Sequence, residues 1–205
     1  MCIRDRISSP SGAGKTSACH KLIERDKSIA LSISDTTRSP RDNEIDGVDY
    51  NFINEDEFKN RIKNKSYIEY ANVFGNFYGS QYKNIINHFK NGSDILFDID
   101  WQGAKQLKSS SFKNIVSIFI VPPSKDAIYK RLKSRALTSG DNEKAIENRM
   151  NKYETEMRHK NDYDYVVINN KLEKCVEEIL NIIHVERKKR RRQLNLVNKV
   201  RELTS

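Results

Sequence analysis

Near the start of this 205-residue chain lie eight residues, Ser9-Pro10-Ser11-Gly12-Ala13-Gly14-Lys15-Thr16, that leave little freedom for what surrounds them. Small residues let successive backbone N–H groups converge on one point, and a helix opening directly afterwards adds the positive end of its dipole. Such a turn binds phosphate. The run fits the phosphate-loop pattern at Gly14-Lys15-Thr16, with Ser9 where the pattern begins with glycine. Ser9 is therefore expected to take up backbone angles that suit glycine. In this pattern Lys15 reaches the β- and γ-oxygens of a nucleotide, and the Thr16 hydroxyl is placed to ligate Mg2+. A Gly/Ser-rich loop without a ligand would share the composition but not the order of strand, loop and helix. The motif marks a nucleotide phosphate site and leaves the reaction open.

The rest of the chain continues the alternation that the loop implies. Residues 17–25 carry Ala18 and Leu22 four apart, as on one helix face. Residues 29–34 alternate as a short strand, 35–49 are turn-rich and charged, and 50–53 read as a strand. Asn54 with Glu57 three positions later caps a helix reaching about Lys63. Residues 67–74 are aromatic and β-branched, hence a strand, and 82–91 a helix. Two apolar runs, 94–99 and 115–121, read as central parallel strands, the second stopped by Pro122-Pro123. Helical patterns lie at 103–107 and 125–134, and a polar segment at 135–142. Ile146, Met150, Tyr153 and Met157 then recur at helical spacing. A strand at 163–168 precedes a helix with Leu172, Val176, Ile179, Leu180 and Ile183 on one face. The expected class is α/β, a P-loop NTPase-type parallel sheet with helices on both faces. Residues 35–92 and 135–159 interrupt a core made of 1–34, 93–134 and 160–205, and are the natural moving parts.

Composition narrows the surroundings. At 37% hydrophobic and 32% charged residues the chain can bury a core as one domain. No run approaches the roughly 18 apolar residues of a membrane span, and residues 1–6 hold no apolar stretch for a signal peptide. Cys2, Cys19 and Cys175 lie far apart with no metal spacing, which points to free thiols in a reducing cytoplasm. The net charge of +9 owes much to Arg187-Lys188-Lys189-Arg190-Arg191-Arg192. That run reads as the solvated end of a C-terminal helix, with RNA contact or a partner-binding tail as alternatives; outside it the charge is close to balanced and gives no general case for nucleic acid.

Thr36-Thr37-Arg38-Ser39-Pro40-Arg41 sets two arginines three apart in a loop, where guanidinium forks suit a second anionic phosphate. Asp46-Gly47-Val48-Asp49-Tyr50, Ile68-Glu69-Tyr70, Gly75-Asn76-Phe77-Tyr78-Gly79-Ser80 and Phe97-Asp98-Ile99-Asp100-Trp101-Gln102-Gly103 follow in order. Taken singly, Tyr50 and Tyr78 read as strand-edge aromatics and Glu69 as a solvated strand residue. Together, from Ile7 to about Glu186, these motifs resemble the guanylate kinase family. The resemblance implies Mg2+-assisted transfer of the γ-phosphoryl of ATP to GMP. It implies that residues 9–16 (Ser9, Pro10, Ser11, Gly12, Ala13, Gly14, Lys15 and Thr16) hold ATP. Arg38, Arg41, Tyr50 and Tyr78 would hold the GMP phosphate, and Ser34, Glu69, Ser80 and Asp100 would read guanine. Guanine offers N1–H and a 2-amino donor that adenine lacks, and a carboxylate such as Glu69 accepts them.

Asp98 and Asp100 end an apolar strand beside the loop, where either could orient a Mg2+-bound water or the substrate. Arg135 and Arg149 match the family's lid arginines, Arg131 less closely, and cations brought in by closure would stabilise transferring charge alongside Lys15 and Arg41. The stretch Arg135-Ala136-Leu137-Thr138-Ser139-Gly140-Asp141 is longer than the family's, and a charged surface helix is the duller account. Asn169-Asn170 matches a position near adenine. Two rivals stand beside this reading: a catalytically dead kinase-like scaffold that binds partners, and a kinase for another nucleoside monophosphate.

The first six residues fit a strand leading into a phosphate loop poorly. They are what ATG TGT ATA AGA GAC AG(A/G) encodes, which is the end of a common sequencing-library transposon adapter. The expectation is that they replace a natural start, a divergent start being the alternative, and that their charges sit badly in a sheet covered on both faces.

Overall fold

The computed structural model describes residues 4–42, 44–110, 115–139, 142–193, 200, 202 and 203. Cys2 and Ile3, and Gly140 and Asp141 of the expected lid, lie outside the described residues. β1 (Arg4–Ser8) runs into the loop and α1 (Lys15–Arg25) out of it, with Ala18, Cys19 and Leu22 buried on one helix face. After β2 (Ile29–Leu31) the chain leaves the central sheet. β3 (Asp35–Thr36), β4 (Asn51–Phe52), β5 (Tyr67–Val73) and β6 (Asn76–Gln81) form a second sheet in the order β4-β3-β6-β5, with α2 (Glu55–Lys63) between β4 and β5. Asn54 caps α2 as its spacing predicts, accepting from the Glu57 N–H at 2.8 Å. α3 (Tyr82–Lys90) leads back to β7 (Asp94–Asp98), α4 (Trp101–Ser109) and β8 (Ile115–Val121). α5 (Lys125–Ser139) and α6 (Glu143–Arg158) precede β9 (Tyr165–Ile168) and α7 (Leu172–Lys188).

The central sheet has the order β2-β7-β1-β8-β9 and every described pairing in it is parallel. Ile7, Leu96, Ile118 and Ile120 pack on one face with Ala18 and Leu22 of α1 and Val176, Ile179 and Ile183 of α7. Ile95, Phe97 and Ile99 pack on the other with Ile85 of α3 and Ala104 and Leu107 of α4. This is the α/β class the sequence predicts, because strands buried on both faces are the apolar runs it contains. No helix among the described residues is long and apolar enough to cross a membrane.

Three local expectations change. The motif at residues 75–80, whose two glycines suit a turn, instead continues as β6 (Asn76–Gln81), antiparallel to β5; Gly79 within it leaves room for the stacked rings of Phe58 and Tyr67, which stand 3.0 Å from where its Cβ would be. The helix expected to end at 134 runs on to Ser139, because Ala136 is a strong helix former and packs against Ile128, Leu132 and Ile146. The basic run is not simply a solvated end. Arg187 donates to Asp94 at 2.7 Å, Asp26 at 2.6 Å and Ser28 at 2.8 Å, and Arg192 is buried beside Glu186. The run closes the amino-terminal edge of the sheet.

β1 is the centre strand, and its charges sit as badly as expected. Asp5 is fully buried with neither carboxylate oxygen hydrogen-bonded. Burial pushes its pKa up to about 8; the neighbouring Asp94 adds to this, while Arg187 and Arg192 oppose it. Arg6 fares better, donating to the Ala104 carbonyl with its guanidinium 5.2 Å above the Tyr163 ring. An ionised Asp5 would cost several kcal/mol at this depth. Because the folded pKa lies above the unfolded one, Asp5 removes stability as pH rises from about 4 to about 8 and removes no more beyond it. Asp5→Val should therefore raise the melting temperature by several degrees at about pH 8 and by clearly less at about pH 5. Thermal melts that gain equally at both pH values, or not at all, would show that the carboxyl is not a buried liability.

Candidate active site

One cleft of 1230 Å³ opens at the carboxyl ends of β1 and β7, between the second sheet and the helices α5 and α6. Open α/β sheets bind ligands at that edge, where strand ends and helix N-termini face out together. The loop, Ser34, Arg38, Arg41, Tyr50, Glu69, Tyr78, Asp98, Asp100, Arg131, Arg135, Arg149 and Asn169 all line it. Residues spread over 160 positions in sequence share one cavity.

Gly12 and Gly14 hold the loop in left-handed backbone, at φ 84° and 93°. Ser9 is not at positive φ, so serine in place of glycine strains nothing, and its hydroxyl donates to the Pro10 carbonyl at 2.9 Å. Gly14 is the N-cap of α1 and has no side chain to cap it, so the first-turn N–H groups remain directed at the cleft. Asn169, after β9, ties the loop down by donating to the Ala13 carbonyl at 2.7 Å, and Arg131 donates to Ala13 and Asn169 carbonyls. A Cβ on Gly14 would overlap the Asn169 amide.

Asp98 and Asp100 separate cleanly. The Ile7–Asp98 register brings the Asp98 carboxylate onto α1, where it pairs with the Lys15 ammonium and accepts from the Thr16 hydroxyl at 2.8 Å. Burial lowers the Lys15 pKa, while a carboxylate in contact favours the charged form. Asp100 turns the other way, capping α4 through the Gly103 N–H at 3.0 Å and accepting from Gln102 at 2.9 Å.

Away from the loop, the same cleft is lined by Ser34 and Glu69. Glu69 is 3% exposed on β5, opposite Ser80 of β6, and Ser34 and Ser80 hydroxyls stand 3.3 Å apart. Burial raises the Glu69 pKa to about 7; hydrogen bonds from Ser80 oppose the rise, and the Asp100 charge adds to it. A side chain on Gly103 would collide with the Glu69 carboxylate, so the glycine ending the Asp98–Gly103 motif is there for close approach. Toward the mouth, Arg38 and Arg41 meet with Tyr50 and Tyr78. Arg38 Nε donates to the Tyr78 hydroxyl at 3.3 Å, and its guanidinium lies 5.6 Å from the Tyr50 ring centre.

Sequence reasoning passed over the group that organises these arginines. Glu44 accepts from Arg38 at 2.7 and 2.8 Å, from the Arg41 N–H at 2.9 Å and from its guanidinium at 3.1 Å. Burial alone would raise its pKa, but the bonds from Arg41 and Arg38 outweigh that and hold it low. The Arg41-x-x-Glu44 spacing was the available signal. Glu156 carried none, being one charge among many on α6; it accepts from the Ser11 N–H at 3.1 Å, next to Arg149, which donates to the Ser11 hydroxyl at 3.0 Å. Arg135 lines the cleft from α5.

The guanylate kinase family profile matches residues 6–186. The guanylate kinase of Sphingopyxis alaskensis is 43% identical over 96% of this chain and 88% of its own length. That of Rickettsia bellii is 45% identical over 90% of this chain and 94% of its own. The crystal structure of guanylate kinase from Anaplasma phagocytophilum superimposes with a TM-score of 0.77 at 36% identity, covering 96% of this chain and 92% of that one.

The loop geometry generates a direct test. Gly14→Ala forces an L-residue to φ 93° against Asn169, a strain of about 1–3 kcal/mol. The melting temperature should fall by several degrees and affinity for pyrophosphate, measured by calorimetry, should drop at least tenfold. Unchanged pyrophosphate affinity would mean that the loop does not bind phosphate.

Proposed function

The chain belongs to the guanylate kinase family, and from that we propose how its residues divide the work of moving a phosphoryl group from ATP to GMP. The reaction is that of a guanylate kinase; the assignments to residues are our reading of the geometry. Residues 9–16 bind ATP, with the N–H groups at the start of α1 on the phosphates and Lys15 on the oxygens that gain charge. Arg38, Arg41, Tyr50 and Tyr78 hold the GMP phosphate, and Ser34, Glu69, Ser80 and Asp100 hold its base. Catalysis is positioning plus electrostatic stabilisation, without a covalent intermediate.

The observation that carries this reading is the buried Glu69 carboxylate, framed by Ser34 and Ser80 in the same cleft as the phosphate loop. A carboxylate at that depth pairs with two adjacent N–H donors, the N1–H and 2-amino group that guanine presents side by side and adenine, cytosine and uracil do not, which favours GMP over other nucleoside monophosphates. The scaffold alternative is disfavoured, because Lys15 and Thr16 both stand in the cleft with Asp98 on them.

Mg2+ is a hard ion that prefers oxygens and keeps most of its shell for water and phosphate. The Thr16 hydroxyl and the Asp98 carboxylate, joined at 2.8 Å, fit that chemistry. Among the described residues no group of three or more His, Cys, Asp or Glu side chains could hold a metal by itself, so the nucleotide phosphates would complete the shell. The ion would neutralise charge on the β- and γ-oxygens. Asp98, rather than Asp100, is the carboxylate for this role.

We read residues 35–92 as a GMP-binding insertion and 135–159 as a lid on a core of 1–34, 93–134 and 160–205. Arg135 and Arg149 come from the lid and face the transferred group. The buried free thiols Cys19 and Cys175 suit a reducing cytoplasm.

Two measurements test this. A coupled assay of ADP formation should give kcat/KM for GMP at least tenfold above AMP, since an unpaired buried acceptor costs about 1–3 kcal/mol; similar values for both would end the guanine assignment. Glu69 must be ionised to accept from guanine, and its pKa is pushed up to about 7. KM for GMP should therefore fall as pH rises from about 6 to about 8, with KM for ATP nearly constant. Glu69→Gln should raise KM for GMP at least tenfold and flatten the profile. A wild-type KM for GMP that ignores pH over that span would refute the role of Glu69.

A further inference from the structure

The tip of the β5–β6 hairpin is a two-residue loop, Phe74-Gly75, with φ values of 52° and 87°. Left-handed backbone at both central residues is what tight hairpins need, and Asn-Gly is the pair that meets it with least strain. A bulky aromatic residue there is a conformational outlier. Among the described residues only Lys65 and Phe74 are non-glycine residues at positive φ. Backbone strain of this kind persists where surrounding contacts hold it in place.

Those contacts come from the lid. The Arg149 guanidinium lies 4.8 Å from the Phe74 ring centre and the Lys152 ammonium 4.5 Å from it. The two cations are three apart on α6, on one helix face, and an aromatic face attracts cations through its quadrupole. The same Arg149 donates to the Ser11 hydroxyl at 3.0 Å, and Glu156, further along α6, accepts from the Ser11 N–H at 3.1 Å. One chain of contacts thus runs from the hairpin of the acceptor insertion, through a lid helix, to the phosphate loop.

We propose that Phe74 is a positioning residue: its ring, held at the hairpin tip against backbone preference, orients Arg149 toward the phosphate loop and couples the acceptor insertion to the lid. Phe74 touches no reacting group in this role. An Asn would suit the turn better but would offer α6 no ring. The inference rests on Arg149 facing the transferred phosphoryl group, as assigned above.

The test uses the full-length protein with ATP and GMP. Phe74→Asn should melt at or above the wild-type temperature while kcat falls about five- to tenfold. Phe74→Leu keeps an apolar side chain without the quadrupole and should lose kcat similarly, with KM for GMP within about twofold of wild type. Phe74→Trp should keep kcat near wild type. In an Arg149→Met background, Phe74→Leu should cost less than twofold further. Full kcat in Phe74→Leu, a loss confined to KM for GMP, or a Phe74→Asn protein that melts well below wild type would each overturn the proposal. Wild-type kcat in Arg149→Met alone would instead remove the role of Arg149, a separate failure visible in that single variant.

Discussion

The pairing that sets Ile7 beside Asp98 is the contact on which the site depends. It brings the ends of β1 and β7 level, so that a strand ending in a carboxylate stands against a strand ending in the phosphate loop. Asp98 then reaches Lys15 and Thr16, the first two residues of α1. Slipping this register by one residue would turn Asp98 to the other face of the sheet. Ile99 and Asp100 continue from the same strand end, and Asp100 opens α4 beneath Glu69. The phosphate loop and the buried Glu69 carboxylate are therefore fixed relative to each other by one strand end and the helix after it.

Carboxylates from a strand, a loop and a helix sit on the groups that phosphate oxygens would engage: Asp98 on Lys15 and Thr16, Glu44 on Arg38 and Arg41, and Glu156 on Ser11. Converging cations repel one another, and a nearby carboxylate offsets that repulsion while holding each guanidinium or ammonium in place. A phosphate competes for the same donors with more charge and more oxygens. On the proposed assignment, the side chains that orient these donors are also those that would compete with substrate.

Two buried aspartates show what such charges require. Asp35 accepts from Asn51, Tyr67 and Gln81 and pairs with Arg61, so one carboxylate joins β3, β4, α2, β5 and β6. That satisfaction lets a small sheet with few apolar residues hold its shape. Asp5 has no such bonds and only distant cations, Arg187 and Arg192, to offset its charge. The difference lies in local partners rather than depth, since both are fully buried.

Sequence by itself determined the elements whose cause is local or periodic. The apolar runs at 94–99 and 115–121, the cap at Asn54 and the loop at 9–16 carry their own physical signals, and the ordered motifs named the family and most of the cleft's lining. Tertiary structure decided what depends on residues far apart. It separated Asp98 from Asp100, because only strand register says which carboxylate faces α1. It made a strand of residues 76–81, because a partner strand and the Phe58 and Tyr67 rings outweigh the turn-like glycines. It drew Arg187 and Arg192 out of a run that looked solvated, since their partners Asp94, Asp26 and Glu186 are distant in sequence or hidden on a helix face. Glu156 and Phe74 were illegible for the same reason, and Glu44 showed only its spacing from Arg41: a charge or ring in a list of residues acquires a role only when the fold chooses its neighbour.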